Sequence, residues 1–474
     1  MLRDVSITVT DGQLGSGSGD GVHVKIGVSP TPYTEPLVIK DTYNAGRIQS
    51  ILGLSPLADA CMDSVANGAA LIYCIPVAAT TDGTVDAVSK EAADPAGTGT
   101  LTVNGKPNNQ YDIRVQITKG GGLNTAVLRY SFDGGVNYSD EVTMPVDGKL
   151  AIAPTGLTFE FSEGEGDVRF APGDLFTTLT TAPQADNQSI LAALAHVRQI
   201  TKTVEFVHIV GVSSKDLWAA LAVEGETFFS TYHKPVFFVA EARGPEAGES
   251  VEDYVAALVA DRKGINSYFL QVVAARGAYR RIDGTTQSIN LAGIVCGLYA
   301  RAKVQQSISE TRSMAISADK LLRLEPAGIE ELLDLLDEAQ YLTFRRYEGL
   351  AGFYVTKPHM FAAESSDYKY AERVRVLNKA ARLVRKEALL QLHRDIDLSK
   401  VEEELAAIGS FIAAPLMDMV DAGEISSGSI TIPPGQDILT EETLHVILRF
   451  VPKGYIREIT VDLGMANPNR QEVQ

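Results

Sequence analysis

Residues 15–21 carry the first pattern that could do chemistry, because glycine-rich loops bind phosphate through their backbone amides. The run reads Gly-Ser-Gly-Ser-Gly-Asp-Gly. It precedes a predicted strand, whereas a phosphate loop joins a strand to a helix, and its glycine spacing fits neither nucleotide-binding motif. The composition is typical of a flexible linker. We therefore predict no nucleotide site and no cofactor.

Other candidate groups lack the partners that their reactions need. His393-Arg-Asp395 is similar to a kinase catalytic loop, but Lys400 stands where the metal-binding asparagine should be. Cys296 lies in an apolar helical segment, where a thiol usually packs as a small hydrophobic group. Asp133-Gly-Gly135 fits a hairpin turn better than a calcium loop. We predict no catalytic residue.

The cysteines and histidines show no metal-binding spacing. The three cysteines, Cys61, Cys74 and Cys296, form neither a C-x-x-C pair nor a disulfide framework, and the seven histidines are scattered. We predict no metal site and synthesis in a reducing cytoplasm.

Composition excludes further classes of function. The chain has 42 basic and 60 acidic residues, and its net charge of -18 repels phosphate backbones, which argues against direct nucleic-acid binding. We find neither the apolar core of a secretion signal near the N-terminus nor a membrane-spanning apolar stretch, so we expect no membrane anchor. With 474 residues, of which 45% are hydrophobic, the chain can form several domains.

The elements alternate in the manner of an α/β protein. A strand at residues 22–28, a helix at 45–66 and a buried strand at 69–77 come first. Helices at 190–200, 214–229 and 251–261 then alternate with strands at 204–210, 235–240 and 268–274, followed by a helix at 289–303. Alternation of this kind predicts a mostly parallel sheet covered by helices.

Residues 79–183 interrupt that rhythm. Short alternating apolar runs are separated by turn signals such as Asn104-Gly105 and Asp147-Gly148. The pattern predicts an all-β sandwich inserted into the α/β domain.

The C-terminal part is predicted to be α+β and to end in strands. A long amphipathic helix at 366–393 precedes a second helix at 398–412. Both chain ends show the period-two alternation of a strand with one buried face. At the N-terminus the apolar set is Val5, Ile7 and Val9; near the C-terminus it is Leu444, Val446, Leu448 and Phe450, followed by Ile456, Ile459 and Val461.

The long helix is strongly basic in an acidic protein, and residues 241–253 are rich in acidic side chains. A solvated helix face would account for the charge, since exposed ion pairs contribute little. The sharper hypothesis is that the basic face meets an acidic patch across a subunit contact. Its candidate residues are Arg373, Arg375, Lys379, Arg382 and Arg385.

The order of these segments resembles the contractile tail sheath family of phages, pyocin-like particles and related injection machines. The motifs are Asn290-Leu-Ala-Gly-Ile-Val-Cys-Gly-Leu-Tyr-Ala-Arg301, Arg373-Val-Arg-Val-Leu-Asn378 and Val451-Pro-Lys-Gly-Tyr-Ile-Arg-Glu-Ile-Thr-Val461. The β segment, with Tyr130-Ser-Phe-Asp-Gly-Gly-Val-Asn-Tyr138, resembles decorating domains of some phage sheaths. The Pro-Gly-Val-type opening usual in sheath proteins is not evident.

The resemblance implies a fold and a function. It implies an α/β sheath core with an inserted β-sandwich, an α+β domain and extended terminal strands. The expected divisions are 1–21 as arm and linker, 22–78 with 184–305 as a discontinuous α/β domain, 79–183 as the insertion, 306–452 as the C-terminal domain and 453–474 as the final strand and arm.

Such subunits stack as hexameric rings around a tail tube and exchange terminal strands. The implied partners are the subunit itself, the tube, the baseplate and a tail terminator. The implied location is a virion tail assembled in the bacterial host cytoplasm. Alternatives are an α/β enzyme with a ligand near Gly211 or Glu241, or a different virion or adhesin component.

Overall fold

The computed structural model describes residues 20–31 and 35–465. The described residues form two compact units, which meet in sequence between Leu383 and Val384. Within those residues, none of the helices is long and apolar enough to cross a membrane. The first unit is built on a mostly parallel sheet, and the second on a helix and a hairpin.

The first segment forms β1 (His23–Val28), β2 (Leu37–Lys40), α1 (Ala45–Leu52), α2 (Pro56–Val65) and β3 (Leu71–Val77). Two helices stand where the sequence predicts one. Gly53 takes a left-handed φ of 69°, and Ser55 then caps a new helix that begins at Pro56. The prediction of one continuous helix is therefore wrong, and β2 was not predicted.

Between β3 and the next α-helix, the chain forms strands and one 3-10 turn, Ala153–Thr155. The strands are β4 (Ser89–Glu91), β5 (Thr100–Gly105), β6 (Asp112–Lys119), β7 (Val127–Ser131), β8 (Val142–Thr143), β9 (Lys149–Ile152), β10 (Leu157–Ser162) and β11 (Leu175–Leu179). They pair as two antiparallel sheets, β5-β10-β9 and β4-β11-β6-β7-β8. Side chains from both sheets, including Ile113, Phe159 and Phe176, bury one common cluster.

The α/β alternation then resumes. It consists of α3 (Asn187–Gln199), β12 (Phe206–Val212), α4 (Lys215–Ser230), β13 (Phe237–Glu241), α5 (Val251–Arg262) and β14 (Leu270–Val273). The central sheet has the order β14-β13-β12-β1-β3-β2, and all neighbours except β2 and β3 run parallel. Every residue of β1 is buried, as expected for a strand covered by helices on both faces. The predicted parallel sheet is confirmed.

The rest of the first unit packs beside this sheet. It contains β15 (Arg276–Arg280), β16 (Thr286–Asn290), α6 (Ala292–Arg301), β17 (Leu321–Glu325), α7 (Leu333–Glu338), β18 (Phe344–Arg345), β19 (Tyr354–Val355) and most of α8 (Ala371–Leu389). The helix predicted at 289–303 is thus shorter, because residues 286–290 pair with β15.

The second unit contains the end of α8, then α9 (Val401–Asp421), β20 (Ile425–Thr431), α10 (Ile438–Glu441) and β21 (Ile447–Pro452). β20 and β21 pair antiparallel. The hairpin lies on α9 at two glycines: a Cβ atom on Gly409 would lie 2.6 Å from Ile432, and one on Gly428 would lie 3.1 Å from Leu416. The sequence predicted neither β20 nor the full length of α9.

Two glycines let α6 pack closely against α2. A Cβ atom added to Gly293 would lie 2.9 Å from the Cβ of Asp63, and one added to Gly297 would lie 2.7 Å from the carbonyl oxygen of Ser64. Their spacing of four residues puts both on the same face of α6. The motif at residues 290–301 therefore serves helix packing through its two glycines.

Replacing Gly297 by alanine is expected to destabilise the first unit by about 1–3 kcal/mol, because the new methyl group meets backbone that cannot move away cheaply. The free energy of unfolding in urea measures this. Gly46→Ala is the matched control, since this exposed glycine lies in α1 and meets only the side chain of Asn44, at 3.8 Å. A Gly297→Ala protein as stable as the Gly46→Ala protein would contradict the packing argument.

Candidate functional site

The C-terminal hairpin is the first candidate site because it leaves backbone groups for another strand. β21 runs antiparallel to β20 of its own chain, and no third strand joins the pair within the described residues. A two-stranded sheet is marginally stable alone, and its free edges carry unpaired N–H and C=O groups. The hairpin can therefore accept a further strand.

The residues expected to exchange strands take different positions around this hairpin. Leu448 and Phe450 lie in β21, and Leu444 and Val446 precede it in irregular backbone. Val5, Ile7 and Val9 lie outside the described residues. Sequence reasoning missed β20, although the alternation of Ile430 and Ile432 with threonine was a weak signal for it.

The segment after β21 exposes a row of apolar side chains. Residues 455–463 form neither helix nor strand, and the exposed fractions of Ile456, Ile459 and Val461 are 83%, 76% and 73%. Three exposed β-branched side chains within six residues are unfavourable in water and fit a segment that another surface covers. Neighbouring Leu463 is exposed by 91%.

The basic helix α8 uses several of its charges within its own chain. Arg375 is fully buried and ion-paired to Glu205, which is also fully buried. Lys379 pairs with Asp20 at 2.7 Å, and Arg382 donates to the carbonyl of Pro235 at 3.0 Å. Arg375 and Lys379 thus have partners inside their own chain, and the subunit contact expected for them stays a prediction.

The two remaining basic positions differ from each other. Arg373 donates from Nη1 to the carbonyl oxygen of Asp367 at 2.9 Å, and Arg385 is exposed. In the acidic stretch at 241–253, Glu249 forms a bidentate pair with Arg243 of the same chain, at 2.6 and 2.7 Å. Of the five basic residues, Arg385 is the one most exposed for a contact with another chain.

A cavity of about 390 Å³ lies at the carboxyl ends of β1, β12 and β13, where the strand order reverses. This is the position at which α/β folds bind ligands. Its lining includes Gly211 and Glu241, the positions named for an enzyme, and also Asn109 and Leu179 from the strand region between β3 and α3.

Charged side chains under the cavity are paired with each other. The Lys25 ammonium donates to Nδ1 of His208 at 2.7 Å, and Nε2 of His208 donates to Glu241 at 3.0 Å. Burial and the charge of Lys25 lower the pKa of His208, so its ring is neutral and can make both bonds. Burial raises the pKa of Glu241 to about 7.

A second group joins the strand region between β3 and α3 to α2. Arg281 pairs with Asp59 at 2.9 Å and with Asp63 at 3.0 Å. Asn109, from the strand region, donates to Asp59 at 2.8 Å. Burial raises the pKa of Asp59 to about 6, against the opposing charge of Arg281. Asp59 could exchange a proton near neutral pH, but Arg281 and Asn109 of the same chain already bind it.

The described residues give little support for a metal site or for a cysteine nucleophile. No group of three or more histidine, cysteine or acidic side chains there could hold a metal ion. Cys296 is fully buried, and burial raises the pKa of its thiol to about 11, so it is a poor nucleophile.

Solved structures with a similar fold include sheath proteins. The contracted helical sheath of an anti-feeding prophage is 10% identical, with a TM-score of 0.53, over 98% of this chain and 99% of that one. The contracted PVC sheath complex of an extracellular contractile injection system is 11% identical, with a TM-score of 0.53, over 99% of this chain and 100% of that one. A sheath tail protein from Desulfitobacterium hafniense is 16% identical, with a TM-score of 0.49, over 91% and 93% of the two chains.

The chain therefore has the fold of contractile sheath proteins, as the sequence resemblance implied. The family model "DUF2586, N-terminal domain" matches residues 2–359, and "DUF2586, C-terminal domain" matches residues 367–470. No curated protein sequence matches significantly.

Stability should fall with rising pH through Glu241. Its folded pKa of about 7 exceeds its ordinary 4.5, so its contribution is complete below pH 4.5 and is lost as the pH rises through 7. Glu241→Gln removes this dependence. The difference in free energy of unfolding, variant minus wild type, should therefore be roughly 2 kcal/mol larger at pH 8 than at pH 5.

Urea unfolding at the two pH values measures the difference, and the contribution of Asp59 is common to both proteins. The control is Glu165→Gln, which changes an exposed glutamate and should follow the wild-type curve. Parallel pH curves for Glu241→Gln and wild type would contradict the assignment.

Proposed function

Since the chain belongs to the DUF2586 family and has the fold of contractile sheath proteins, we propose that it is the structural subunit of a contractile tail sheath. Subunits stack as hexameric rings around a tail tube, and contraction of the lattice drives the tube through a target envelope. The free energy is stored as the difference between two packings of the same subunits, so no nucleotide is needed.

The proposal is supported mainly by the C-terminal hairpin, in which each strand has one free edge. β20 and β21 each have one edge without a neighbouring strand, and the apolar side chains at 456–463 are exposed to solvent. Pairing with a strand from another subunit satisfies the backbone groups of an edge. The N-terminal strand of Val5, Ile7 and Val9, together with the segment at 456–463, joins the neighbour's strand at 444–450.

The proposed location and partners are those of a subunit in a contractile tail. The subunit contacts further copies of itself, the tube protein, the baseplate and a tail terminator, and it makes no direct contact with nucleic acid or membrane. The particle is a phage-type virion or a related injection system, assembled in the cytoplasm of the bacterial host.

Residues 79–183 serve as an inserted β-sandwich on the outside of the lattice. Both ends of this stretch meet, because the backbone of Thr80 and of Thr81 donates to Gln184 at 2.9 and 3.0 Å. An insertion whose ends meet in this way can lie outside the contacts between subunits, although Asn109 and Asn137 also bind Asp59 and Gly284 of the body.

Placing charges on the apolar row should abolish assembly without unfolding the subunit. In the Ile459→Asp, Val461→Asp double variant, both changed side chains are largely exposed, so thermal unfolding of the free subunit should stay near wild type. Burial of two carboxylates between subunits would oppose polymerisation. Electron microscopy of protein co-expressed with its tube should show no long sheaths.

The control is Val146→Asp, because Val146 is exposed by 73% but lies in the inserted region. This variant should still form sheaths. Sheaths of normal length from the double variant would refute the role of the apolar row.

Replacing residues 80–184 by a two-residue glycine linker should preserve sheath formation. Loss of Asn109 removes one hydrogen bond from Asp59, which keeps its pair with Arg281. Negative-stain microscopy should show thinner tubes with an unchanged axial repeat. A changed repeat would place the insertion inside the lattice and contradict its external position.

A further inference from the structure

We infer that Glu205, Arg375, Lys379 and Asp20 form a clamp that fixes the root of the N-terminal arm, so that force on the arm passes directly into the body of the subunit. The inference rests on the proposed function, in which the arm pairs with a second copy of this chain. The name "clamp" denotes these four residues. The clamp gives a positioning role to these side chains, which do not themselves take part in the proposed strand exchange.

The centre of the clamp is the buried pair of Glu205 and Arg375. Nη2 of Arg375 lies 3.1 Å from Glu205 and also donates to the carbonyl oxygen of Tyr299, at 2.9 Å. Further bonds of 3.2 Å reach the carbonyls of Ala302 and Lys303. One guanidinium thus joins α8, the residue before β12 and the last turn of α6, whose free carbonyls attract a cation.

Glu205 also binds the beginning of the described chain. The Gly21 amide donates to Oε2 of Glu205 at 2.6 Å. Gly21 has a φ of 78°, and a Cβ atom there would lie 2.5 Å from the Cα of Ala300. Its carbonyl oxygen accepts from Nδ1 of His23 at 3.0 Å. The chain at Gly21 is therefore fixed on both sides of its Cα.

Asp20 adds an outer ion pair one residue earlier. Its carboxylate lies 2.7 Å from Nζ of Lys379, and the two side chains are exposed by only 16% and 11%. Lys379 lies one helical turn after Arg375, so both cations point from one face of α8 toward the same segment. The glycine-rich run predicted as a linker thus ends in a fixed point, at residues 20 and 21.

A fixed root determines which neighbours the arm can reach. Residues 1–19 can span at most about 65 Å when fully extended. If the chain detached as far as β1, the same arm would have a longer and less directed tether, and its effective concentration at one acceptor hairpin would fall. The clamp therefore favours one acceptor and transmits tension to α6, α8 and the central sheet.

Charge reversal with a compensating swap tests the clamp. Asp20→Lys places a cation beside Lys379, and Lys379→Asp places an anion beside Asp20. Each single variant should release residues 20–23, and amide hydrogen exchange of that segment in the free subunit should become at least tenfold faster. The double variant, Asp20→Lys with Lys379→Asp, restores opposite charges and should return exchange toward wild type.

The matched control is Asp82→Lys, which reverses the exposed pair of Asp82 and Lys106 and should change neither readout. Sheath length, measured by microscopy with the tube protein, should shorten severalfold in the single variants and recover in the swap. Lys379→Asp could also unfold the subunit, so Asp20→Lys, whose change is nearer the surface, decides the result.

The two readouts separate this inference from the proposed function. Unchanged exchange at residues 20–23 in Asp20→Lys would overturn the clamp, whether or not sheaths form. Faster exchange with sheaths of normal length would overturn its role in assembly. A wild-type protein that forms no sheath with any tube protein would instead refute the proposed function.

Discussion

The buried ion pair of Glu205 and Arg375 is the interaction on which the arrangement of the first unit depends. Removing two charges from water is costly, and such a pair persists only if every polar atom finds a partner. Burial alone would lower the pKa of Arg375, but the adjacent Glu205 outweighs it and raises that pKa, so the guanidinium stays charged. Its remaining hydrogens require the end of α6, and Oε2 of Glu205 accepts from the Gly21 amide as well as from Arg375. Satisfying one buried charge thus aligns four separate parts of the chain.

Local pattern was sufficient to predict the central sheet. Apolar runs of strand length alternate with amphipathic helices between residues 186 and 274, and the strands and helices formed there lie within a few residues of the predicted ones. Parallel strands covered on both faces produce this signal directly, because every residue of the strand is buried.

Most of the wrong or missing predictions concern residues whose partners are distant in sequence. The basic residues of α8 look the same in sequence whether they face water or Glu205, which lies 170 positions away from Arg375. β20 contains serine and glycine in place of a clear apolar alternation, and it forms because β21 pairs with one edge and α9 packs beneath it. The helix break at Gly53 was readable from Gly-Leu-Ser-Pro, since a cap and a proline at the first turn mark a new helix.

If residues 79–183 form an inserted module as proposed, the meeting of its two ends at Thr80 and Gln184 has an evolutionary consequence. A module whose two ends leave the body side by side can be exchanged or lost at that point, provided that the bonds of Asn109 and Asn137 to the body are dispensable. The same point would suit the grafting of a foreign domain, and each subunit would then carry one copy.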